Sequence, residues 1–353
     1  MLPGQFCRHA SGQLEEVIQE AIRQGFTTYG VTEHVPRYRR EDLYPEEKDM
    51  HLEDLETTFD TYITEALRLK AKYAGQIEIL IGLESEYIIQ SSLDKLRVLL
   101  EQYSASISYI VGSVHHVNSI PIDFDKETFD RAVASFSQEK ESLPQLQQLF
   151  CAYFDAQYRL LYTFRPEVIG HFDLCRLYLP DMSFCDEIVW KRVERNVRFA
   201  VEYGALFEVN AAAFRKGWRT AYPGADVLKV GLANLHPFLL ELRRSRIKLI
   251  VSLGGRLTIS DDSHGPDRVG LHYSNTHVYL SHQNVQDLWC LMTMESSEEA
   301  MVCNGNGDGT VVSGQQEERP ALVLRTGLRT RTKAVKLHES WKADAFWEGR
   351  KDG

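Results

Sequence analysis

Apolar residues recur along this chain in two alternating periods, one helical and one extended. Leu14, Val17, Ile18, Ala21 and Ile22 keep the i, i+3, i+4, i+7, i+8 spacing of a helix that buries one face. Ser11 is placed to cap its start and Gly25 to stop it. Phe26 to Val31 then reads as a strand. The rhythm returns in a charged segment from Glu53 to Tyr73, with Leu55, Phe59, Ile63, Leu67 and Leu69 on a looser helical spacing, followed by the strand Ile77 to Ile81. Leu143 to Thr163 and Phe184 to Tyr203 are helical in pattern and precede further strand-like runs, and Ile107 to Val111, Val168-Ile169 and Leu257 to Ile259 are β-rich. Helix alternating with strand predicts an α/β protein built on parallel strands. No internal repeat interrupts it.

The irregular stretches fall between these elements. Val35 to His51, with Pro36 and Pro45, and Val117 to Asp125, with Pro121, read as long loops, the usual carriers of substrate contacts. From Ser296 to Pro320 the composition shifts to Glu, Gly, Asn, Ser and Gln, which predicts a low-complexity insertion or linker. Residues 1–295 are therefore expected to form the main domain. Residues 321–353 are expected to be a C-terminal segment that docks back on it through the apolar and aromatic residues of Ala321 to Trp347.

Each β-rich run ends in a residue type that ligates metals. The segments are Thr32-Glu33-His34, Gly82-Leu83-Glu84, Gly112-Ser113-Val114-His115, Gly170-His171 and Asp261-Asp262-Ser263-His264. Strand ends are where parallel α/β barrels keep their active sites, and mixed imidazoles and carboxylates suit zinc, manganese or iron. A single histidine beside an apolar run is commonly a core or surface residue; repetition at successive strand ends points instead to a multinuclear metal hydrolase. Asp262 and His264, two apart, can face nearby ions, which leaves Asp261 to a supporting or capping role. Glu84 has the two oxygens a bridging ligand needs. Glu86, on the same strand face, is open to solvent or an ion pair, and His116 points away from His115 and reads as structural.

A formal net charge of −10 over 353 residues argues against nucleic-acid partners, which need a basic footprint, and directs attention to local cations for any phosphate bound. No stretch reaches membrane-spanning length, and the residues after Met1 lack the basic-then-apolar plan of a secretory leader, so a cytoplasmic protein is expected. The six cysteines show no CxxC spacing and predict reduced thiols.

Seven motifs together resemble the polymerase and histidinol phosphatase (PHP) superfamily, and its histidinol-phosphatase branch in particular. They are Phe6-Cys7-Arg8-His9, Thr32-Glu33-His34-Val35-Pro36-Arg37, Tyr44-Pro45-Glu46-Glu47, Ser113-Val114-His115-His116, Ile120-Pro121-Ile122-Asp123, Gly170-His171-Phe172-Asp173-Leu174-Cys175-Arg176 and Ser260-Asp261-Asp262-Ser263-His264-Gly265. The resemblance implies a distorted (β/α)7 TIM-like barrel of the PHP type holding divalent ions, two or three per chain. It places His9, His34 and His264 on one ion and Glu84, His115 and His171 on a second; Glu84 and Asp262 would share the third with an early His-x-His pair. Family members carry that pair just before Gly-Gln-Phe-Cys, where this chain reads Met1-Leu2-Pro3-Gly4. Either the gene's true start is displaced from Met1 and the protein carries the pair, which the retained ligands favour, or the chain is a variant of reduced or no activity. Arg176 and Arg215 are the implied phosphate clamps, with Arg37, Lys216 and Asn210 as further candidates.

The implied reaction is hydrolysis of L-histidinol phosphate to L-histidinol and phosphate, in histidine biosynthesis, with the catalytic load on Glu84, Asp262 and His264. A related phosphoesterase acting on another small phosphate ester, and a binding protein without turnover, are the alternatives. A phospho-aspartate route through Asp123-Phe124-Asp125 is disfavoured, because Glu127 stands where that motif wants Thr or Val. Oligomeric state and metal identity are open at this level.

Overall fold

Parallel pairing carries the architecture. In the computed structural model, which describes residues 4–139, 143–228, 249–294, 332–337, 341–343 and 345–347, one sheet contains β1 (Thr28–Val31), β2 (Glu78–Ser85), β3 (Tyr109–Gly112), β6 (Val168–Ile169), β7 (Leu206–Asn210) and β8 (Arg256–Ser260). The order β1-β2-β3-β6-β7-β8 follows the chain, every pair parallel. A short hairpin, β4 (His116–Val117) with β5 (Ile120–Pro121), follows β3. Helices form the crossovers: α1 (Leu14–Arg23) leads in, α2 (Leu52–Lys72) and α3 (Gln90–Gln102) precede β2 and β3, and α4 (Lys126–Ala134) and α5 (Gln145–Phe164) precede β6. Next, α6 (Glu187–Tyr203) precedes β7, while the short α7 (Ala212–Arg215) and α8 (Ala225–Leu228) follow it. Across the ends of the sheet, the Tyr29 hydroxyl on β1 donates to Asp261 Oδ2, just past β8, at 2.8 Å. The fold is a distorted TIM-like barrel, with six parallel strands among the described residues where the resemblance implies seven.

Period-two alternation divides the strands into two faces. Tyr29, Val31, Ile79, Ile81, Ile110, Ile169, Phe207 and Leu257 pack outward into the core shared with the helices. Inward, near the strand starts, Leu80, Tyr109, Val168 and Leu206 cluster with Leu291. Leu291 belongs to β9 (Trp289–Thr293), which pairs antiparallel with β10 (Thr332–Lys336), so this pair packs against the amino ends of the barrel strands. The large ring of Tyr109 fits the interior because Gly82 faces it: a Cβ there would lie 2.5 Å from the ring. With one end filled by apolar side chains, the polar inward positions collect at the strands' carboxyl ends.

Several boundaries differ from the sequence expectation. The α1 cap is Gln13, whose N–H donates to the Glu16 carboxylate at 2.7 Å. Ser11 instead donates its N–H to the His264 carbonyl at 2.8 Å, tying the N-terminal segment to the last ligand loop. β2 continues through Glu84 to Ser85, because pairing of Gly82 to Ser85 with β3 prolongs it past Ile81. Within the expected loop Val35 to His51 lie two 3-10 turns, Arg40–Asp42 and Pro45–Glu47. The periodicity marked β7 as a strand-like run after Tyr203 without bounds, and did not reveal α3, α4 or α9 (Tyr273–His282).

Trp341 and Trp347 are buried beside α9, the Trp341 indole N–H donating to the Gln286 carbonyl at 2.8 Å. The expected insertion at 296–320 lies outside the described residues, as do Met1 to Pro3. Among the described residues the five cysteines are free thiols, and no helix is long and apolar enough to cross a membrane.

Candidate metal centre

The alternation that fills the barrel also aims its polar residues. On β2 the inward set Leu80, Gly82 continues to Glu84 and Glu86; on β3, Tyr109 and Val111 continue to Ser113 and His115; past β8 the inward position is Asp262, while Asp261 points outward to Tyr29. His34 follows β1 and is bridged to Glu84. A cavity of about 270 Å³ opens over these strand ends, and His9, His34, Glu84, His115, His171, Asp262 and His264 all line it, together with Arg215 and Lys216.

Two groups of ligands converge within it. His115 Nε2 and His171 Nε2 are 3.2 Å apart, and each lies 3.2 Å from the same Glu84 oxygen. His34, Glu84 and His115 each bring a ligand atom within 4.8 Å of the others. The His9 ring lies 5.1 Å from that of His264 and 6.2 Å from that of His34. Ring nitrogens crowded against one carboxylate oxygen have no satisfactory hydrogen-bond pattern among themselves, whereas a divalent cation accepts all of these donors at once. The donor set fits metal ions.

The electrostatics agree. Burial drives the His34 imidazole well below its ordinary range and brings His264 down to about 4, so both present lone pairs at neutral pH. At His115, burial opposes the charged form, but the Glu86 and Glu84 carboxylates outweigh it and raise the ring well above its usual value. Glu84 is held well below the carboxylate range although burial acts the other way, because His34, His115 and His171 surround it. These buried carboxylates demand positive charge, supplied by protons where no ion sits.

Other contacts orient the ligands. Glu86 is buried and accepts from His115 twice, its Oε2 lying 2.6 Å from Nδ1 and its Oε1 3.0 Å from the backbone N–H, so it fixes which ring nitrogen faces the cavity. Glu46 meets His9 Nδ1 at 2.6 Å. Glu208, buried inside the barrel, accepts the His171 backbone N–H at 2.6 Å and the Asn210 side-chain amide at 3.0 Å. Asn210 caps the turn into α7 by accepting from Ala212 N–H at 2.8 Å, which sets Arg215 over the last strand. Arg215 donates to the Asp261 and Asp262 carbonyls at 3.1 and 3.0 Å.

Two of the arginines named from the sequence stand elsewhere. Arg176 is 2% exposed and does not line the cavity; its guanidinium is occupied by Asp173, Asp226 and the Met182 carbonyl. Saturated in this way, it has no fork left to offer a phosphate. Arg37 is paired with Glu47 and lines a different cavity. In their place the structure adds Arg268 and the carboxylate of Asp123, both on the wall, with Asp123 Oδ1 buried and without a hydrogen-bond partner and the Tyr222 hydroxyl likewise. Glu86 was legible by its spacing from Glu84. Glu46 stood in the motif Tyr44-Pro45-Glu46-Glu47 with no role attached, and Glu208 and Arg268 carried no signal beyond their charge.

Comparison with known proteins gives a concordant result. A family model described as PHP domain matches residues 4–212. Over 314 residues the chain is 45% identical to the probable histidinol-phosphatase of Schizosaccharomyces pombe, covering 88% of this chain and 90% of that one. Against the histidinol-phosphatase of Saccharomyces cerevisiae the identity is 28% over 332 residues, or 85% of this chain and 92% of that one. A crystal structure of a candidate histidinol phosphatase from Listeria monocytogenes superposes with a TM-score of 0.60 at 21% identity, over 76% of this chain and 96% of that one, and speaks for the fold.

Proposed function

Because the chain belongs to the PHP domain family, whose phosphoesterases are metal-dependent, we infer that it hydrolyses L-histidinol phosphate to L-histidinol and inorganic phosphate in histidine biosynthesis. One observation carries the reading: a single cavity joins the imidazole–carboxylate cluster, the cations Arg215, Lys216 and Arg268, and the unpartnered carboxylate of Asp123. A substrate with a phosphate at one end and a protonated amine at the other matches that division of charge.

His34, Glu84, His115 and His171, with His9, Asp262 and His264 beside them, would hold divalent ions, and borderline zinc, manganese or iron suits their nitrogens and oxygens. Such ions lower the pKa of water toward ~7 and stabilise charge on a phosphoryl group. The protein's own residues do the rest. Two N–H groups of Arg215 are spent on backbone carbonyls, which locks the guanidinium and leaves its other donors for phosphate oxygens. Lys216 and Arg268 add positive charge to the wall. Asp123 takes the substrate ammonium, orienting the ester toward the cluster, and Tyr44 and Phe124 give the same wall aromatic surface for the imidazole ring.

The test is phosphate release from L-histidinol phosphate, set against a panel of nucleotide and sugar phosphates. Activity is expected to disappear on chelation, to return with one of the three metals, and to favour histidinol phosphate over the panel. Turnover that survives exhaustive chelation would remove the metal reading, and equal rates across the panel would remove the substrate. Asp123→Asn is expected to raise KM for histidinol phosphate by about 10-fold to 100-fold, the worth of a hydrogen bond to a charged group, while leaving a phosphate monoester without an amine unaffected. Equal losses on both substrates would show that Asp123 does not read the amine.

A further inference from the structure

Among the described parallel strands, β7 is the one that the ligand set skips. Its inward positions nevertheless hold two polar residues, Glu208 and Asn210, between the ligand-bearing ends of β6 and β8. Asn210 is wholly buried and stands behind the cavity wall. Its backbone N–H donates to the Tyr222 carbonyl at 2.9 Å, and its carbonyl accepts the Tyr222 N–H at 3.1 Å. Its side-chain Oδ1 accepts the Ala212 N–H at 2.8 Å, which fixes the amide: with the oxygen turned to α7, the NH2 faces Glu208 and Asp262. Nδ2 lies 3.0 Å from Glu208 Oε2 and 3.3 Å from Asp262 Oδ2, and an NH2 group has one hydrogen for each. With every polar atom engaged, Asn210 keeps no donor for the phosphate contact expected from the sequence.

Glu208 Oε2 also accepts the His171 backbone N–H at 2.6 Å. Hydrogen bonds therefore run without a break from the His171 turn after β6, across β7, to the Asp262 carboxylate after β8. Asp262 needs such a hold. Its backbone is left-handed, with φ at 45°, a conformation that a residue with a Cβ seldom adopts. Arg215 fixes its carbonyl at 3.0 Å but leaves the carboxylate free to turn about its own bonds. We propose that Asn210 is a positioning residue of the metal centre: its amide holds the Asp262 carboxylate in the orientation that meets a divalent ion, and spaces it from Glu208. The inference rests on the reading of Asp262 as a metal ligand. Without the amide, two buried carboxylates face one another, and their repulsion turns Asp262 away from the site.

The test is a double-mutant cycle read by zinc affinity, from competition with a coloured chelator, and by urea unfolding of the metal-free chains. Its members are the unchanged chain, Asn210→Ser, Asp262→Asn and the double variant. Serine keeps an oxygen for the Ala212 N–H, removes the NH2 and adds no charge. Asn210→Thr, which offers the same oxygen and fills more of the space, takes its place in the cycle if the serine variant does not fold. Asn210→Ser is expected to weaken zinc binding by about 10-fold to 100-fold, and to have no further effect once Asp262 is asparagine. Additive losses, or unaltered zinc affinity in Asn210→Ser, would overturn the proposal, because a merely structural residue lowers metal-free stability without acting through Asp262. Unaltered affinity in Asp262→Asn would instead overturn the reading of Asp262 as a ligand, and the proposal with it.

Discussion

Glu84→Gln is expected to lower kcat/KM for histidinol phosphate by about 1000-fold, with loss of about one metal ion per chain after dialysis. Glu84 lies at the meeting point of His34, His115 and His171 and is the negative charge around which their rings assemble. Glutamine keeps the size and one oxygen but removes the charge that offsets the ions. The neighbouring change Glu86→Gln should weaken metal affinity by about 10-fold to 100-fold, because it frees the His115 ring to turn without removing a ligand. Elemental analysis and steady-state rates on both variants check the pair. Full metal content and rate in Glu84→Gln would contradict its place at the centre of the cluster, and an effect of Glu86→Gln equal to that of Glu84→Gln would make Glu86 a ligand.

Arg176→Ala is expected to act on stability first. Asp173 is wholly buried and meets Arg176 Nε at 3.0 Å, while Asp226 accepts from Nη1 at 2.9 Å. The guanidinium also lies 4.5 Å from the Phe184 ring centroid and 5.5 Å from that of Trp218. Removing it strands two carboxylates and opens a cavity, at a cost of ~3–5 kcal/mol. Burial already raises the Asp173 carboxyl above its ordinary value even with Arg176 in place, and the variant raises it further. A folded-state pKa above the unfolded one means that the native state holds the extra proton, so stability falls as pH rises out of the carboxylate range. The variant should therefore be less destabilised near pH 5 than near pH 8. Urea unfolding at both values measures this. A variant of unchanged stability that loses only substrate affinity would return Arg176 to the role of phosphate clamp.

Sequence alone pointed to the chemistry and to a set of strand-end residues that the structure brings to one cavity. Strand-like runs ending in His34, Glu84, His115, His171 and Asp262-Ser263-His264 mark the active end of a parallel barrel, because β alternation and the carboxyl-end rule are local regularities written into neighbouring residues. The same rule separated His115 from His116 and Asp262 from Asp261. It could not assign the arginines. Arg176 follows the His171 motif and Arg215 follows β7, and the two read alike, but Arg176 meets Asp173 and Phe184 nearby together with Asp226 and Trp218 from farther along the chain, while among the described residues Arg215 meets backbone carbonyls at the cavity edge. Which cation is neutralised and which stays free depends on partners up to 50 residues away, as Asp226 is from Arg176. The strand β7 could be placed after Tyr203 but not bounded, for a related reason: Glu208 and Asn210 break its apolar run, and they are tolerated there because the folded barrel gives each a hydrogen-bond partner. Periodicity fixes the face on which a side chain lies; only the assembled barrel decides what waits for it there.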